Sequence, residues 1–293
     1  MECKYCQSTK IVKHGKSNDK QRYLCKVCGR KFFEGSDFPR MRTKSRIISS
    51  SIDFYFEGLS VRKIQTQIEK LYEVSVSQVA IWKWITKYSD LVKSYVTTLK
   101  PELSGLWHED ETVISCEGKD VWFWEMIDES TKFLVASHRS GTRTFEDTVA
   151  IFKKGVEQSK ARPKKVFVDG SHIYNSAFNK VFYTMRKDTR PELVQRVGIN
   201  ARKTNNIVER LHGTLKDRTR PTRGLKDFKS TRSILEGYTV HYNFVRPHQS
   251  LKGKTPAQAS GIKMKNDWHL LVKEATKQAT LNEKQNSPIE VLT

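Results

Sequence analysis

The chain has 293 residues, and its 53 Lys and Arg outnumber its 32 Asp and Glu, for a net charge of +21 and a pI of about 9.7. Charge of that size predicts a polyanionic partner, and nucleic acid fits it better than an anionic membrane surface. With no run of eighteen apolar residues and no signal-peptide core after Met1, a membrane span or an exported chain has no support, and a soluble cytoplasmic protein is expected.

Residues 1–36 read as a metal module. Cys3-Lys-Tyr-Cys6 and Cys25-Lys-Val-Cys28 are two CxxC pairs with eighteen residues between them. This is the spacing of a closed Cys₄ zinc site, in which each pair supplies two adjacent corners of a tetrahedron. Disulfides are the alternative, which a reducing cytoplasm disfavours. So short a segment buries little core, so Zn²⁺ is expected to supply most of its folding free energy. Lys10, Lys13, His14, Lys16, Lys20 and Arg22, with Tyr23, Phe32 and Phe33, suit either a DNA-binding zinc ribbon or a stabilising cap whose charge is incidental. The fifth cysteine, Cys116, is expected in the core of a strand.

After the basic stretch Pro39 to Arg46, residues 42–98 show three helical patterns. Ile48, Ile52, Tyr55 and Phe56 form an apolar stripe, Gly58 ends that helix, and Ser60 opens the next. A third begins near Ser75, with Ser77 as its cap and Val79, Trp82, Ile85 and Tyr88 expected to face a small core. Three short helices of this kind resemble a helix-turn-helix. Its third helix is then expected in the major groove, with Ser77, Gln78 and Lys83 as base or phosphate contacts. A trihelical dimerisation module is the alternative.

From about residue 102 to 262 the pattern becomes α/β. LWHEDETVIS, VWFWEMID and FLVASH are three strand-like runs broken by polar turns, which predicts an antiparallel meander with Asp110 mid-strand in a central element. Phe145, Val149, Phe152 and Val156 have helical spacing over residues 142–158, and Lys165 to Val168 form a short strand ending at Asp169-Gly170. A helix between the meander and this strand implies parallel pairing, hence a mixed sheet covered by helices, with ligands gathering at strand C-termini. A helix from about Asn206 to Lys216 carries Val208, Leu211 and Leu215 as a stripe, with Glu209 at its edge and Arg210, Lys216 and Arg218 placed to meet phosphate oxygens. Taken alone, such a helix equally fits a solvated face of mixed charge.

Other acids compete with Asp110. Side chains alternate along a strand, so Glu109 and Glu111 are expected on the opposite face, and Asp128 falls in a turn where carboxylates cap backbone groups. His212 has two readings, a contact to phosphate or water and ordinary packing, and so has His248. Arg218, Arg220, Arg223 and Lys226 precede a helix from about Asp227 to Phe244 with Ile234, Leu235, Tyr238 and Tyr242 in a stripe. Residues 263–293 are polar without clear periodicity and are expected to be a partly disordered tail.

Asp110 in DET, Asp169 in VDG and Glu209 in NNIVERLHG, in that order, resemble the acidic triad of prokaryotic insertion-sequence DDE transposases of the RNase H-like, integrase-core superfamily, and of its insertion sequence family six-like members. The ending His241-Tyr-Asn-Phe-Val-Arg-Pro-His248, with Leu251 and Thr255-Pro256-Ala257, is similar to theirs too. These matches cover about residues 105–262, and the N-terminal modules also fit. The resemblance implies a multidomain α/β chain: an RNase H-like mixed five-stranded sheet with flanking helices, preceded by a zinc ribbon and a trihelical helix-turn-helix domain. It implies that Asp110, Asp169 and Glu209 are catalytic and hold two Mg²⁺ (or Mn²⁺) ions, with Asp110 bridging both. The partners implied are double-stranded DNA, as transposon ends and target, and further copies of the chain in a homodimer or higher oligomer. Two other readings stay open, a DNA-binding regulator that has lost catalysis and a metal-dependent nuclease without strand transfer. The 40 residues from Asp169 to Glu209 are slightly many for the family, which implies an extra turn or loop within residues 183–204.

Overall fold

The computed structural model describes residues 1–17, 20–33, 38–39, 41–195, 202–219 and 228–285. Two compact units form, one from Met1–Tyr55, Val61–Thr98 and the segment starting at Asp267, the other from Phe56–Ser60 and Leu99–Asn266. No helix among the described residues is long and apolar enough to cross a membrane.

The first unit begins with a three-stranded antiparallel sheet of β1 (Ile11–Ser17), β2 (Lys20–Cys25) and β3 (Lys31–Phe33). Its core is Cys3, Cys25 and Phe32, edged by Tyr5, Ile11 and Tyr23, far too little apolar surface to offset the entropy of ordering the segment. Three helices follow: α1 (Ser45–Phe56), α2 (Val61–Tyr72) and α3 (Gln78–Val96). α1 buries Ile48, Ile52 and Tyr55, and α2 buries Ile64 and Ile68. Gly58, with φ +105°, takes the left-handed turn that stops α1.

Ser77 caps α3 by accepting from the Ala80 amide at 3.2 Å. The buried stripe differs from the one expected: Val79 is 63% exposed, whereas Ile81, Ile85, Tyr88 and Val92 are buried. At about 100° per residue, three successive steps of three rotate by about 180° in all, so Val79 and Tyr88 project from opposite sides of the helix.

The polar ending also departs from expectation. Trp268–Gln285 is a helix, and it buries Trp268, Leu271, Val272 and Ala275, an i, i+3, i+4, i+7 set that shares one face. His269 Nε2 lies 3.0 Å from Ser45 Oγ, and its ring stacks on Phe38 at 5.4 Å. Gln7 donates its amide to the Lys273 carbonyl at 3.1 Å. This C-terminal helix is therefore part of the first unit's core, because a narrow apolar stripe suffices when the rest of the surface is wet.

The second unit holds β4 (Leu106–Cys116), β5 (Lys119–Asp128), β6 (Leu134–Ser140), α4 (Phe145–Ser159), β7 (Lys165–Val168), α5 (His172–Phe182), β8 (Glu192–Gln195), α6 (Arg202–Thr219) and α7 (Phe228–Val240). The sheet order is β6-β5-β4-β7-β8, antiparallel from β4 to β6 and parallel from β4 through β7 to β8. This is the mixed five-stranded, helix-flanked sheet that the RNase H-like resemblance implies, with Asp110 on its central strand. The fifth strand, β8, lies within residues 183–204, where the spacing predicts only an extra turn or loop.

One sheet face packs Trp107, Trp124, Met126, Phe152, Tyr174 and Phe178 beneath α4 and α5. Gly155 permits the close approach of α4, since a Cβ there would lie 2.7 Å from Met126 Sδ and 3.2 Å from the Trp107 ring. α6 packs against β4 and β5 and buries Val208, Leu211 and Leu215 as expected. Cys116 is buried, 3.3 Å from Thr231 Oγ1. A π-helical turn, His241–Val245, follows α7. From it Asn243 accepts from the Leu134 amide at 2.8 Å and donates to the Leu134 carbonyl at 3.0 Å, closing part of the exposed edge of β6.

Candidate active site

Strand register brings the two aspartates level. Leu106, Trp107 and His108 of β4 pair with Lys165, Val166 and Phe167 of β7, and the His108 imidazole stacks on Phe167 at 4.6 Å. Each pair is separated by 59 positions, the same interval as Asp110 and Asp169, so Asp169 follows the end of β7 beside Asp110. Asp169 accepts from the Ser171 amide at 2.9 Å, which leads the chain into α5.

Glu209 projects from α6 and is exposed. Its charge reaches Asp110 nonetheless. The Asp110 carboxyl is pushed up to about 7, first by burial and then by the negative charges of Glu111, Asp169 and Glu209, while the Glu111 amide, donating at 3.0 Å, works in the opposite sense. The charges of Asp169, just past β7, and of Glu209 on α6 therefore both bear on Asp110 of β4. Hard oxygen donors that repel one another are the donor set for divalent cations such as Mg²⁺ or Mn²⁺, whose charge keeps such acids ionised.

Further acids surround the three. Glu111 shares the Asp110 strand; Tyr174 donates to its Oε2, and the Arg143 guanidinium pairs with its Oε1. The same guanidinium lies 3.7 Å from Asp169 and 5.2 Å over the Trp122 ring. Glu109 is fully buried and is pushed well up first by burial and then by Glu111, against a lowering by the Tyr174 hydroxyl. Asp128 accepts from Ser104 Oγ, the Gly105 amide and both the amide and hydroxyl of Thr131, the backbone-capping role expected of it.

Glu125 was missed by sequence reasoning. It stands directly across from Asp110 on β5, is completely buried, and is pushed well above its usual range by burial and then by Asp110. Between them sits His212, buried, its Nε2 3.6 Å from Glu125 and its Nδ1 4.0 Å from Asp110. Burial, then Lys216, lowers the imidazole to about 4, so it is neutral near pH 7. Only the β4–β5 register reveals this cross-strand acid; one sequence does not state which residues of two strands face each other. Arg143 left no signal either, since a lone Arg in a polar turn carries no spacing to read.

The expected DNA contacts are distributed as follows. Arg210 is exposed and Lys216 half-buried on α6. Arg218 belongs to α6, but its side chain is outside the described residues, as are Arg220, Arg223 and Lys226. On α3, Ser77 is used as the cap, Gln78 donates to Gln65 Oε1 at 3.0 Å, and Lys83 is exposed.

The four cysteines converge. Their sulfurs all lie within 4.8 Å of one another, with Cys3–Cys28 at 3.5 Å and Cys6–Cys25 at 3.6 Å. Four sulfurs about 2.3 Å from a central ion at tetrahedral angles would be about 3.8 Å apart. Burial alone would raise the Cys25 thiol, but backbone amides of Cys28 and Val27 bring it down to about 7. The cluster is compatible with a structural zinc ion and consistent with a zinc ribbon.

A family model described as a DDE domain matches residues 104–248. An uncharacterized protein of Methanocaldococcus jannaschii is 24% identical over 231 residues, which cover 77% of this chain and 98% of that protein. Among solved structures the chain is similar to a chain of the simian T-cell lymphotropic virus intasome in complex with PP2A regulatory subunit B56 gamma, at a TM-score of 0.40 and 15% identity over 55% of each chain, so little more than half of that chain is matched. It is also similar to the HTLV-2 integrase catalytic core domain in complex with magnesium, at a TM-score of 0.37 and 14% identity over 55% of this chain and 98% of that one.

Proposed function

Because residues 104–248 belong to the DDE-domain family of insertion-sequence transposases, we propose that this chain binds the terminal inverted repeats of an insertion sequence and catalyses phosphodiester cleavage and strand transfer there. The observation that supports the proposal is the β4–β7 register, whose 59-residue interval is also that of Asp110 and Asp169, together with the effect of the Asp169 and Glu209 charges on Asp110.

Asp110, Asp169 and Glu209 would hold two Mg²⁺ or Mn²⁺ ions, Asp110 bridging them. Bound there, such a pair activates the attacking water or DNA 3′-hydroxyl and stabilises charge on the leaving oxygen. The protein's other groups have supporting tasks. Arg143 holds Glu111 and lies against Asp169, which keeps part of the excess negative charge paired. His212 lies behind Asp110 and, being neutral, adds no positive charge to oppose a cation held there. Arg210 and Lys216 meet backbone phosphates and set the register of the strand.

The Cys₄ module with Zn²⁺ and the three helices, with Ser77, Gln78 and Lys83 as contacts, recognise the repeats. Two ends must be held together for joining, so a homodimer or higher oligomer acts on cytoplasmic DNA. The test is strand cleavage and joining on duplexes carrying the flanking inverted repeats, with Mg²⁺ or Mn²⁺, comparing the native chain with Glu209→Gln. Metal-dependent joined products that vanish in the variant support the proposal. Tight binding with no cleavage in either protein would identify a regulator, and cleavage with no joining a nuclease.

A further inference from the structure

Next to Glu209, Arg210 reaches an open cavity of about 510 Å³ formed with the π-helical turn and the Arg246-Pro247-His248 segment. Its lining includes Arg210, Thr214, Tyr242, Arg246, His248 and Gln249, and no carboxylate is among the described residues that line it. Two guanidiniums therefore share a concave surface with a hydroxyl and a side-chain amide, donors suited to a tetrahedral oxyanion.

The imidazole adds a second observation. His248 Nε2 is buried and has no hydrogen-bond partner, while its ring meets Tyr242 edge-on at 4.7 Å. Burial, then Arg246, and further on Lys132 lower His248 to about 4, against a hydrogen bond to the Tyr242 backbone that works the other way. Lys132 is in turn lowered by burial and, more weakly, by Arg210. Lys132 is also held by Glu129 and Asp128, so the charge facing the cavity is that of Arg210 and Arg246, two cations with no carboxylate among the described lining residues, the condition under which an anion is drawn in.

We propose that this cavity is a phosphate site that takes a backbone phosphate of the bound DNA beside the acidic cluster, with Arg210 and Arg246 as its charged donors. The assignment rests on the transposase reading for the identity of its ligand. It gives the Arg-Pro-His segment a binding role apart from the structural role of Asn243 in the same motif.

The experiment uses the full chain and a duplex carrying the inverted repeat, in chelator so that no cleavage occurs, with affinity measured by fluorescence anisotropy across a KCl series. Removing one cation that neutralises a phosphate should flatten the slope of log K against log salt by about one. Arg246→Gln and Arg210→Gln are each expected to do so, and the double variant to flatten it by about two. Unchanged slopes in both single variants, with native circular dichroism, would overturn the site; Arg210 is exposed, so its replacement keeps the test open should Arg246→Gln disturb folding. In a parallel arm, inorganic phosphate at constant ionic strength that shifts the His248 ring resonances as far as DNA does, with unchanged slopes in the variants, would make this a small-anion site and overturn the DNA assignment. Flattened slopes in a chain that never cleaves DNA with Mg²⁺ or Mn²⁺ would support the site while sinking the catalytic reading.

Discussion

Asp110 shows how a single buried carboxyl can cost the fold stability. An acid whose folded pKa, about 7, lies above its ordinary 3.8 penalises the folded state at every pH above that ordinary value, fully so above about pH 7. The penalty disappears as pH falls toward 4, where the carboxyl is protonated in both states. Asp110→Asn is therefore expected to abolish cleavage and yet to raise the Tm of the metal-free chain at pH 7 to 8, with the gain shrinking to nothing near pH 4. Calorimetry of both proteins in chelator across that range checks it; an equal or lower Tm for the variant at pH 8 would refute the account of a carboxyl raised by burial and by neighbouring charges. Asp110 was recognisable because the motif surrounds it in sequence. Glu125, which faces it from β5, was not, and His212 of α6 could only be left with two readings, since each is contributed by a different element and only pairing and packing bring them to the same face.

Among the elements, most of the α/β part was legible. The meander and the apolar strand before Asp169 are runs rich in β-branched and aromatic residues bounded by polar turns, and the crossover helix has the 3.6 period of a buried face. β8 was not legible: a four-residue strand whose side chains are half-buried or exposed leaves almost no pattern. The helix from Trp268 was missed for the opposite reason, a valid but narrow stripe diluted by polar neighbours. The π-helical turn shows a motif residue serving the fold. Asn243→Ala removes both hydrogen bonds to Leu134 and leaves a buried amide and carbonyl on an edge strand, a loss of about 2 to 4 kcal/mol. Urea unfolding measures this, and hydrogen exchange should show the Leu134 amide opening first.

Across the whole molecule, the two units are held by different forces. The second has an aromatic-rich core under α4 and α5, enough to be stable without a metal. The helices of the first have an apolar core of their own, but its three-stranded sheet is packed on little more than two cysteines and Phe32, and the stability of that sheet depends on what the thiolates bind. Zinc removal by a strong chelator is expected to abolish protection of the β1–β3 amides while those of β4–β7 keep theirs, and re-addition of zinc should restore them. Protection of both sets unaffected by chelation would show that the cysteines do not hold a structural ion. The excess of cations has no such local cause and favours encounter with a polyanion.

Spacing along the chain was enough to establish the two CxxC pairs, the order of strands and helices around Asp110, Asp169 and Glu209, and the family these motifs resemble. Backbone periodicity and metal-ligand spacing are local properties, readable from neighbours within a few turns. Register, and the choice of which faces meet, came only with the folded chain. Folding brought Asp169 level with Asp110, put Glu125 and His212 behind them, tied Arg143 to Glu111, and gathered Arg210, Arg246 and His248 around one cavity. Those relations join residues from separate elements, and no periodicity along one strand or helix encodes which residue of another will stand opposite it.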